Sequence, residues 1–183
     1  MLLSTPSNQT DSTVVKPDLV VLVLCTGNSA RSIMAEALFN HLGNPRIRAF
    51  SAGSKPVGRV NPYALEQIRE RLGDEGSVYE SKSWDKFSES QSSQAIDIVL
   101  TVCGNAANEA CPAFPGDAIH LHWDFADPAA ASGSAADIQS AFAATFLEMQ
   151  ARIELLMRLL PNLVTKQEVS NALLELSYSG NAC

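Results

Sequence analysis

The chain lacks the features that mark membrane-spanning and nucleic-acid-binding proteins. No segment approaches the roughly 18 consecutive apolar residues of a membrane span, and no basic stretch leads into an apolar run near residue 1. Basic residues are few, since 13 lysines and arginines stand against 20 aspartates and glutamates, for a formal net charge of -7. This charge disfavours broad binding to nucleic acid or anionic lipid, because the long-range field would repel both. We therefore expect a soluble, cytoplasmic protein with no nucleic-acid or membrane partner.

Cysteine is also scarce. The 183 residues contain four cysteines, Cys25, Cys103, Cys111 and Cys183. These are too few for a disulfide scaffold in a small domain and favour free or redox-active thiols. Cys183, at the end of the sequence, is interpreted as incidental.

What the sequence does contain is one alternating pattern of strands and helices. Apolar runs predict four strands, at residues 19–24, 46–52, 96–102 and 118–123. Apolar positions at helical spacing predict helices at residues 32–43, 61–72 and 135–160, with a short irregular helix at 84–94. A last helix is predicted to begin at a capping box of Thr165 and Glu168. This alternation predicts an α/β fold with a four-stranded, parallel, doubly wound sheet flanked by helices and with functional loops at its carboxyl edge.

The domain organisation follows from the same pattern. Residues 1–17 are mostly polar and lack periodicity, which predicts a flexible lead-in. Residues 18–160 hold all the predicted strands and form one domain, and residues 161–183 form a helical extension.

The most informative segment is residues 25–32, CTGNSARS, which joins the first predicted strand to the first predicted helix. Backbone N–H groups and the positive end of a helix converge on an anion at such a place. Arg31 can bind two oxygens of a tetrahedral oxyanion, and Cys25 can attack its central atom. The helix dipole and Arg31 are expected to lower the pKa of Cys25, so that the thiolate is abundant at neutral pH.

The residues between Cys25 and Arg31 suit an oxyanion-binding loop. Gly27 is expected to permit a turn that a side chain would obstruct, and Asn28 tolerates left-handed dihedral angles. The hydroxyls of Ser29 or Ser32 can stabilise a thiolate. The spacing alone is also met by a merely buried cysteine at a strand end, but the strand before and the helix after disfavour that alternative. The predicted substrate-binding residues are Thr26, Gly27, Asn28, Ser29, Ala30, Arg31 and Ser32.

Residues 25–32, together with the MAE that follows at 34–36 and the SAG at 51–53, resemble a known family. The resemblance is to the low-molecular-weight tyrosine phosphatase family, and specifically to its arsenate reductase branch. It covers residues 18–160 and implies that fold, with an added C-terminal helix. It also implies that Cys25 is the nucleophile and that Arg31 binds the oxyanion. Many members have a second cysteine where this chain has Ala30, a departure that leaves the nucleophile untouched.

A general acid is implied by a second motif. Residues 122–128, HWDFADP, resemble the family's His-Trp-Gly-Phe-x-Asp-Pro, with Asp124 at the usual glycine. The resemblance implies that Asp127 protonates the oxygen that the nucleophile expels. Without the rest of the motif, Asp127-Pro128 is equally a common turn dipeptide.

The resemblance to the reductase branch implies a relay of thiols. Arsenate would bond to Cys25, Cys103 would attack that sulfur and release arsenite, and Cys111 would then exchange the disulfide outward. An external dithiol, thioredoxin or a glutaredoxin–glutathione couple, would reduce the enzyme, and no tightly bound cofactor is expected. Two plainer alternatives stay open: inert buried cysteines, or a metal cluster with His120 and His122, whose spacing matches no usual zinc pattern.

The resemblance also implies part of a potassium site, since some family members bind potassium beside the loop. Asn28, Glu36 and Ser51 occupy the matching positions, but Trp84 stands at the family's aspartate, with Asp85 one residue away.

Three functions are compatible with these residues. The leading hypothesis is an arsenate reductase, for which phosphate and sulfate would be loop-binding mimics. The second is a low-molecular-weight phosphatase in which water resolves the adduct, although the small residues at 129–133 offer little surface to grip an aromatic ring. The third is a non-catalytic arsenite or metal sensor, which would have no need of Arg31 or Asp127.

Overall fold

The computed structural model describes residues 19–76, 78–107, 109–159 and 166–178. The predicted lead-in at 1–17, Thr165 of the predicted capping box and Cys183 lie outside the described residues. The elements in chain order are β1 (Leu19–Cys25), α1 (Arg31–Gly43), β2 (Ile47–Gly53), α2 (Pro62–Leu72), β3 (Ile98–Thr101), α3 (Gly104–Ala107), β4 (Ile119–His122), α4 (Ala135–Leu159) and α5 (Lys166–Tyr178).

The four strands form one parallel sheet in the order β2-β1-β3-β4. The near-continuous apolar run of β1 suits this inner position, because a central parallel strand is buried on both faces. The carboxyl ends of parallel strands share one edge, and Cys25 there lies directly beside Gly53 of β2. The predicted fold class, a parallel sheet flanked by helices with an added C-terminal helix, is confirmed.

Side chains alternate between two faces of this sheet. On the first face, Val21, Val23 and Cys25 pack into a core with α1, α2, α4 and α5. On the second face, Val20, Leu22 and Leu24 of β1 pack into a separate core with the 84–99 region and Phe114. The two faces are therefore covered by different parts of the chain.

In α4, the apolar residues spaced by three and four positions pack into the first-face core. These buried residues are Phe142, Phe146, Met149, Ile153 and Leu156. In α5, Val169, Leu173 and Leu176 are buried against the same core. No helix in the described part of the chain is long and apolar enough to cross a bilayer.

The predicted helix at 84–94 is wrong in length. The structure has a four-residue 3-10 helix, Trp84–Phe87, followed by extended backbone at Ser88. The Ser88 hydroxyl donates to the carbonyl of Asp85 at 2.7 Å, and the Ser88 N–H donates to the same carbonyl at 3.1 Å. Serine side chains that bond the nearby backbone in this way offer an alternative to continued helix.

Candidate functional site

A cavity of about 150 Å³ lies at the carboxyl edge of the sheet, where β1 ends at Cys25 and α1 begins at Arg31. It brings together the predicted nucleophile, most of the predicted binding loop, Arg31 and Asp127. Its lining residues are Cys25, Thr26, Gly27, Ser29, Ala30, Arg31, Asn105, Asp127 and Ala129. Asn105 of α3 was not predicted, and its place two residues after Cys103 is the signal that could have indicated it.

Two hydrogen bonds reach the Sγ atom of Cys25. The backbone N–H of Asn28 donates to it at 3.1 Å, and the Ser32 hydroxyl lies 2.9 Å away. The expected lowering of the Cys25 pKa is wrong. Burial raises the pKa of Cys25, and the bonds from Ser32 and Asn28, which lower it, do not offset the loss of solvent.

Arg31 makes two contacts that hold its guanidinium at the cavity. Its Nη1 atom donates to the carbonyl of Phe125 at 3.1 Å, and its Nη2 atom lies 3.0 Å from the Oδ2 atom of Asp127. The Oδ1 atom of Asp127 accepts the N–H of Ala129 at 3.1 Å and so caps the short 3-10 helix Pro128–Ala130. Asp127 therefore caps this turn and also lines the cavity beside Arg31.

A chain of buried hydrogen bonds runs beneath the loop. The Nδ2 atom of Asn28 donates to Ser32 Oγ at 3.0 Å and to Ser51 Oγ at 2.8 Å, and Ser51 Oγ donates to Glu36 Oε2 at 2.5 Å. Asn28 has φ of 44°, as its tolerance of left-handed dihedral angles predicts. Burial raises the pKa of Glu36, and the nearby charge of Lys82 opposes this effect.

The same chain does not fit a potassium ion. The backbone N–H of Lys82 donates to Oδ1 of Asn28 at 2.8 Å, which fixes the amide so that Nδ2 faces Ser51. A cation needs oxygen atoms directed at it, whereas here an N–H donor points at the Ser51 hydroxyl. Asn28, Glu36 and Ser51 are thus brought together as a hydrogen-bonded support for the loop.

The close approach of β2 to the oxyanion loop requires a glycine at position 53 and not at position 27. A Cβ at Gly53 would lie 2.5 Å from the carbonyl oxygen of Thr26 and 3.0 Å from the backbone nitrogen of Asn28. A Cβ at Gly27 would meet Val57 at an ordinary 3.4 Å, so the expectation that a side chain there would obstruct the turn is wrong. Gly53 is the last residue of β2, and a glycine in a strand often marks a close approach of another backbone.

The structure brings Cys103 to the loop but leaves Cys111 apart from it. Cys103, which follows β3, is 3% exposed and belongs to the same first-face core as Cys25. Its Sγ atom lies 3.7 Å from the hydroxyl of Thr26. Cys111 is half-buried and packs against the second-face core. All three are free thiols, and α3 lies between Cys103 and Cys111.

The geometry does not support the alternative of a metal site formed by Cys103 and Cys111 with His120 and His122. Among residues 19–76, 78–107, 109–159 and 166–178, no three His, Cys, Asp or Glu side chains are grouped so that they could hold a metal ion.

Known proteins resemble this chain over most of its length. The sequence model of the low molecular weight phosphotyrosine protein phosphatase family matches residues 20–170. A protein of Halalkalibacterium halodurans named arsenate reductase is 39% identical over 115 residues, which cover 63% of this chain and 78% of that protein.

Solved structures show the same similarity. The crystal structure of an arsenate reductase from Archaeoglobus fulgidus superposes with a TM-score of 0.58 at 27% identity, covering 75% of this chain and 98% of that one. A thioredoxin-dependent arsenate reductase of Corynebacterium glutamicum superposes with a TM-score of 0.54 at 25% identity, covering 80% of this chain and 65% of that one. With its strand order, its loop and the match over residues 20–170, the chain belongs to the low molecular weight phosphotyrosine protein phosphatase family.

Proposed function

We propose that this chain reduces arsenate to arsenite and that a sulfur atom, not water, resolves the covalent adduct. The observation that carries the proposal is the position of Cys103. A buried thiol stands beside the Cys25 loop, on the same face of the sheet and at the end of the neighbouring strand. The arsenate reductase names of the relatives support the same conclusion.

The first step is attack on the oxyanion. The Cys25 thiolate bonds to arsenic, and one arsenate oxygen leaves as water after it has received protons. Arg31 and the N–H groups of the loop hold the remaining oxygens. Asp127 stands 3.0 Å from Arg31 and supplies a proton to the leaving oxygen, a role for which its position at the cavity wall is suited.

The second step is the reduction itself. The Cys103 thiolate attacks the sulfur of Cys25, and the sulfur–arsenic bond breaks. Its electron pair stays on arsenic, which leaves as arsenite while a Cys25–Cys103 disulfide forms. Cys111 then attacks Cys103, releases the Cys25 thiolate and leaves a Cys103–Cys111 disulfide.

An external dithiol closes the cycle by reducing that disulfide. We propose thioredoxin as the donor, since the related Corynebacterium glutamicum enzyme is thioredoxin-dependent. A glutaredoxin–glutathione couple is the alternative that the assay below distinguishes. The proposed location is the cytoplasm, where such donors keep thiols reduced.

Phosphate-ester hydrolysis is the second candidate, and the contact between Arg31 and Asp127 suits it equally. The residue that follows Pro128 at the cavity wall is Ala129, within the small-residue run at 129–133. Alanine offers no ring on which an aromatic phosphate ester could stack. Hydrolysis would also leave the buried thiol of Cys103 without a chemical role.

A coupled assay tests the proposal. Reduced protein is mixed with arsenate, thioredoxin, thioredoxin reductase and NADPH, and loss of NADPH is followed for wild type and for Cys25→Ser, Cys103→Ser and Cys111→Ser. Each of these three variants should lose turnover, whereas the control Cys183→Ser should keep it. A parallel run with glutaredoxin, glutathione and glutathione reductase identifies the donor. Hydrolysis of para-nitrophenyl phosphate without arsenate turnover would instead support the phosphatase.

A further inference from the structure

A second cavity, of about 350 Å³, lies beside Cys111 and is separate from the oxyanion site. Its lining residues are Thr101, Ala106, Ala107, Glu109, Cys111, His120, Leu121 and His122. Leu121 belongs to the first-face core, and the histidines alternate with it along β4, so they project toward the second face. Cys111 packs against that same face. Two imidazoles and the thiol that the relay uses last therefore line one cavity.

The contacts of His122 determine which of its ring nitrogens is basic. Its Nδ1 atom lies 3.2 Å from the carbonyl oxygen of Thr101 and 2.9 Å from the hydroxyl of Thr101. A carbonyl oxygen can only accept, so Nδ1 carries the hydrogen in the neutral ring. The Thr101 hydroxyl can donate to the carbonyl of Leu121 at 3.2 Å, which leaves its lone pairs to accept from Nδ1. The tautomer assigned in this way leaves Nε2 as the proton-accepting nitrogen.

The Cys111 thiol needs such an acceptor. Burial raises the pKa of Cys111, and the neighbouring carboxylate of Glu109 raises it further. Only the thiolate attacks a disulfide, so the proton must leave before or during the exchange.

We infer that Nε2 of His122 takes the proton of the Cys111 thiol as Cys111 attacks the Cys25–Cys103 disulfide. The inference rests on the proposed function. A bond forms between the sulfurs of Cys111 and Cys103, the bond between Cys103 and Cys25 breaks, and Cys25 leaves with the electron pair as a thiolate. The proton of Cys111 remains on the imidazole until the external dithiol arrives.

Other ionisable groups near the cavity do not fill this role. Glu109 is not suited to accept the thiol proton, because a carboxylate is a much weaker base than an imidazole. His120 is exposed, and no contact with Thr101 fixes its ring. β3 and α3 carry no ionisable side chain, and Glu168 and Glu175 of α5, which packs against β4, do not line the cavity.

The test follows the two disulfides through a single turnover. Reduced full-length protein is mixed with arsenate in the absence of thioredoxin, quenched with acid, alkylated and analysed by peptide mass spectrometry. The variant is His122→Asn, because asparagine can keep an N–H donor near the position of Nδ1 but has no basic nitrogen. The matched control is His120→Asn, at the exposed histidine of the same strand face.

His122→Asn should release arsenite and form the Cys25–Cys103 disulfide at the wild-type rate. Formation of the Cys103–Cys111 disulfide should slow by about 100-fold, the lower end of what a positioned general base contributes. The rate of this second step should depend more steeply on pH in the variant than in wild type, because the variant has no basic nitrogen at this position and must rely on bases from solution. Added imidazole should restore the rate of this second step in His122→Asn and should not change that rate in His120→Asn.

If the Cys103–Cys111 disulfide formed in His122→Asn at the wild-type rate and with the wild-type pH profile, the inference would be overturned. Equal slowing of arsenite release would overturn it too, because that result would mean a structural role for His122. His122→Gln, which also lacks a basic nitrogen, provides the same comparison if the asparagine variant does not fold. Failure of the proposed function is visible separately, since the wild-type protein would then form neither disulfide.

Discussion

Two opposing effects act on the pKa of the Cys25 thiol. Burial raises its pKa, while the hydrogen bonds from Ser32 and Asn28 lower it. A thiol that stays protonated is protected from oxidation, because oxidants react with the thiolate. The two bonds become most valuable once the proton has left, since bonds to a charged sulfur are stronger than bonds to a neutral one.

Removal of the Ser32 hydroxyl should therefore make the Cys25 thiolate harder to form. We expect Ser32→Ala to move the pH profile of Cys25 alkylation by iodoacetamide toward higher pH. The rate at pH 8 should fall by about 10-fold, since a hydrogen bond to a charged group contributes about 1.5 kcal/mol or more. Ser29→Ala, which alters a cavity residue with no hydrogen bond to the Cys25 sulfur in the described structure, is the control. A profile that moved toward lower pH would contradict the sign.

Gly53 sets how closely β2 approaches the oxyanion loop. We expect Gly53→Ala to destabilise the protein by about 1–3 kcal/mol, the usual effect of overpacking, because its Cβ would lie 2.5 Å from a backbone oxygen. Phosphate binding should weaken with it, since the displaced atoms belong to Thr26 and Asn28. Urea unfolding and calorimetric titration with phosphate measure the two effects. Gly27→Ala should cost less stability, and equal losses in both variants would refute the steric argument.

The element with the clearest structural role beyond the loop is α5. The indole Nε1 of Trp123 donates to the carbonyl of Leu173 at 3.2 Å, and Leu173 is 1% exposed. Trp123 lies between β4 and the turn that carries Asp127, so the C-terminal helix supports the site from behind. The buried residues Val169, Leu173 and Leu176 recur at helical spacing, so α5 has one apolar stripe, which it buries against the first-face core.

Truncation inside this stripe should be costly. We expect Leu173→Ala to lower the free energy of unfolding by about 2–5 kcal/mol, as buried leucine truncations do. Leu174→Ala, at a side chain 43% exposed, should change it by less than about 0.5 kcal/mol. Chemical denaturation of both variants gives the comparison, and similar losses in the two would show that α5 does not pack as described.

The short helix α3 must rearrange if Cys103 and Cys111 are to bond. The two cysteines pack with cores on opposite faces of the sheet, and the N–H of Ala107 donates to the carbonyl of Cys103 at 3.2 Å. Arsenate treatment without reductant should therefore speed hydrogen exchange at Ala107, measured by NMR or mass spectrometry. Cys111→Ser should show no such change, and unchanged exchange in the oxidised wild type would mean that α3 does not open.

Elements were predictable from the sequence where one periodic signal controls them. The buried run of β1 and the stripe of α4 are such cases. The 3-10 helix Trp84–Phe87 and the four-residue α3 were not predictable, since their ends depend on single hydrogen bonds such as that of Ser88. The strands β3 and β4 were predicted too long at both ends. Their lengths are limited by the four residue pairs that they form with each other and not by the hydrophobicity of the sequence.

At the scale of the whole molecule, the parallel sheet explains why the site could be anticipated. Parallel strands bring their carboxyl ends to one edge, so Cys25 and Cys103 were expected at the same edge of the sheet, and the pairing of β1 with β3 makes them neighbours. The position of Cys111 could not be inferred in this way. It depends on how the segment around Phe114 packs on the second face, and no local pattern specifies that contact.

The net charge of -7 is a second property of the whole molecule that bears on function. An acidic protein repels oxyanions at long range, so affinity must come from the loop amides and Arg31 at short range. The raised pKa of the buried Cys25 thiol fits this arrangement, because a neutral sulfur does not add to the repulsion as the oxyanion approaches.

In the proposed mechanism, Cys103 and not water resolves the Cys25 adduct. The most direct test of this step counts arsenite in a single turnover, with fully reduced protein, excess arsenate and no external reductant. We expect one equivalent of arsenite per chain, the loss of two free thiols and a Cys103–Cys111 disulfide, with no arsenite from Cys103→Ser. Arsenite produced by Cys103→Ser at the wild-type yield, or wild-type protein that retains all its thiols, would contradict it.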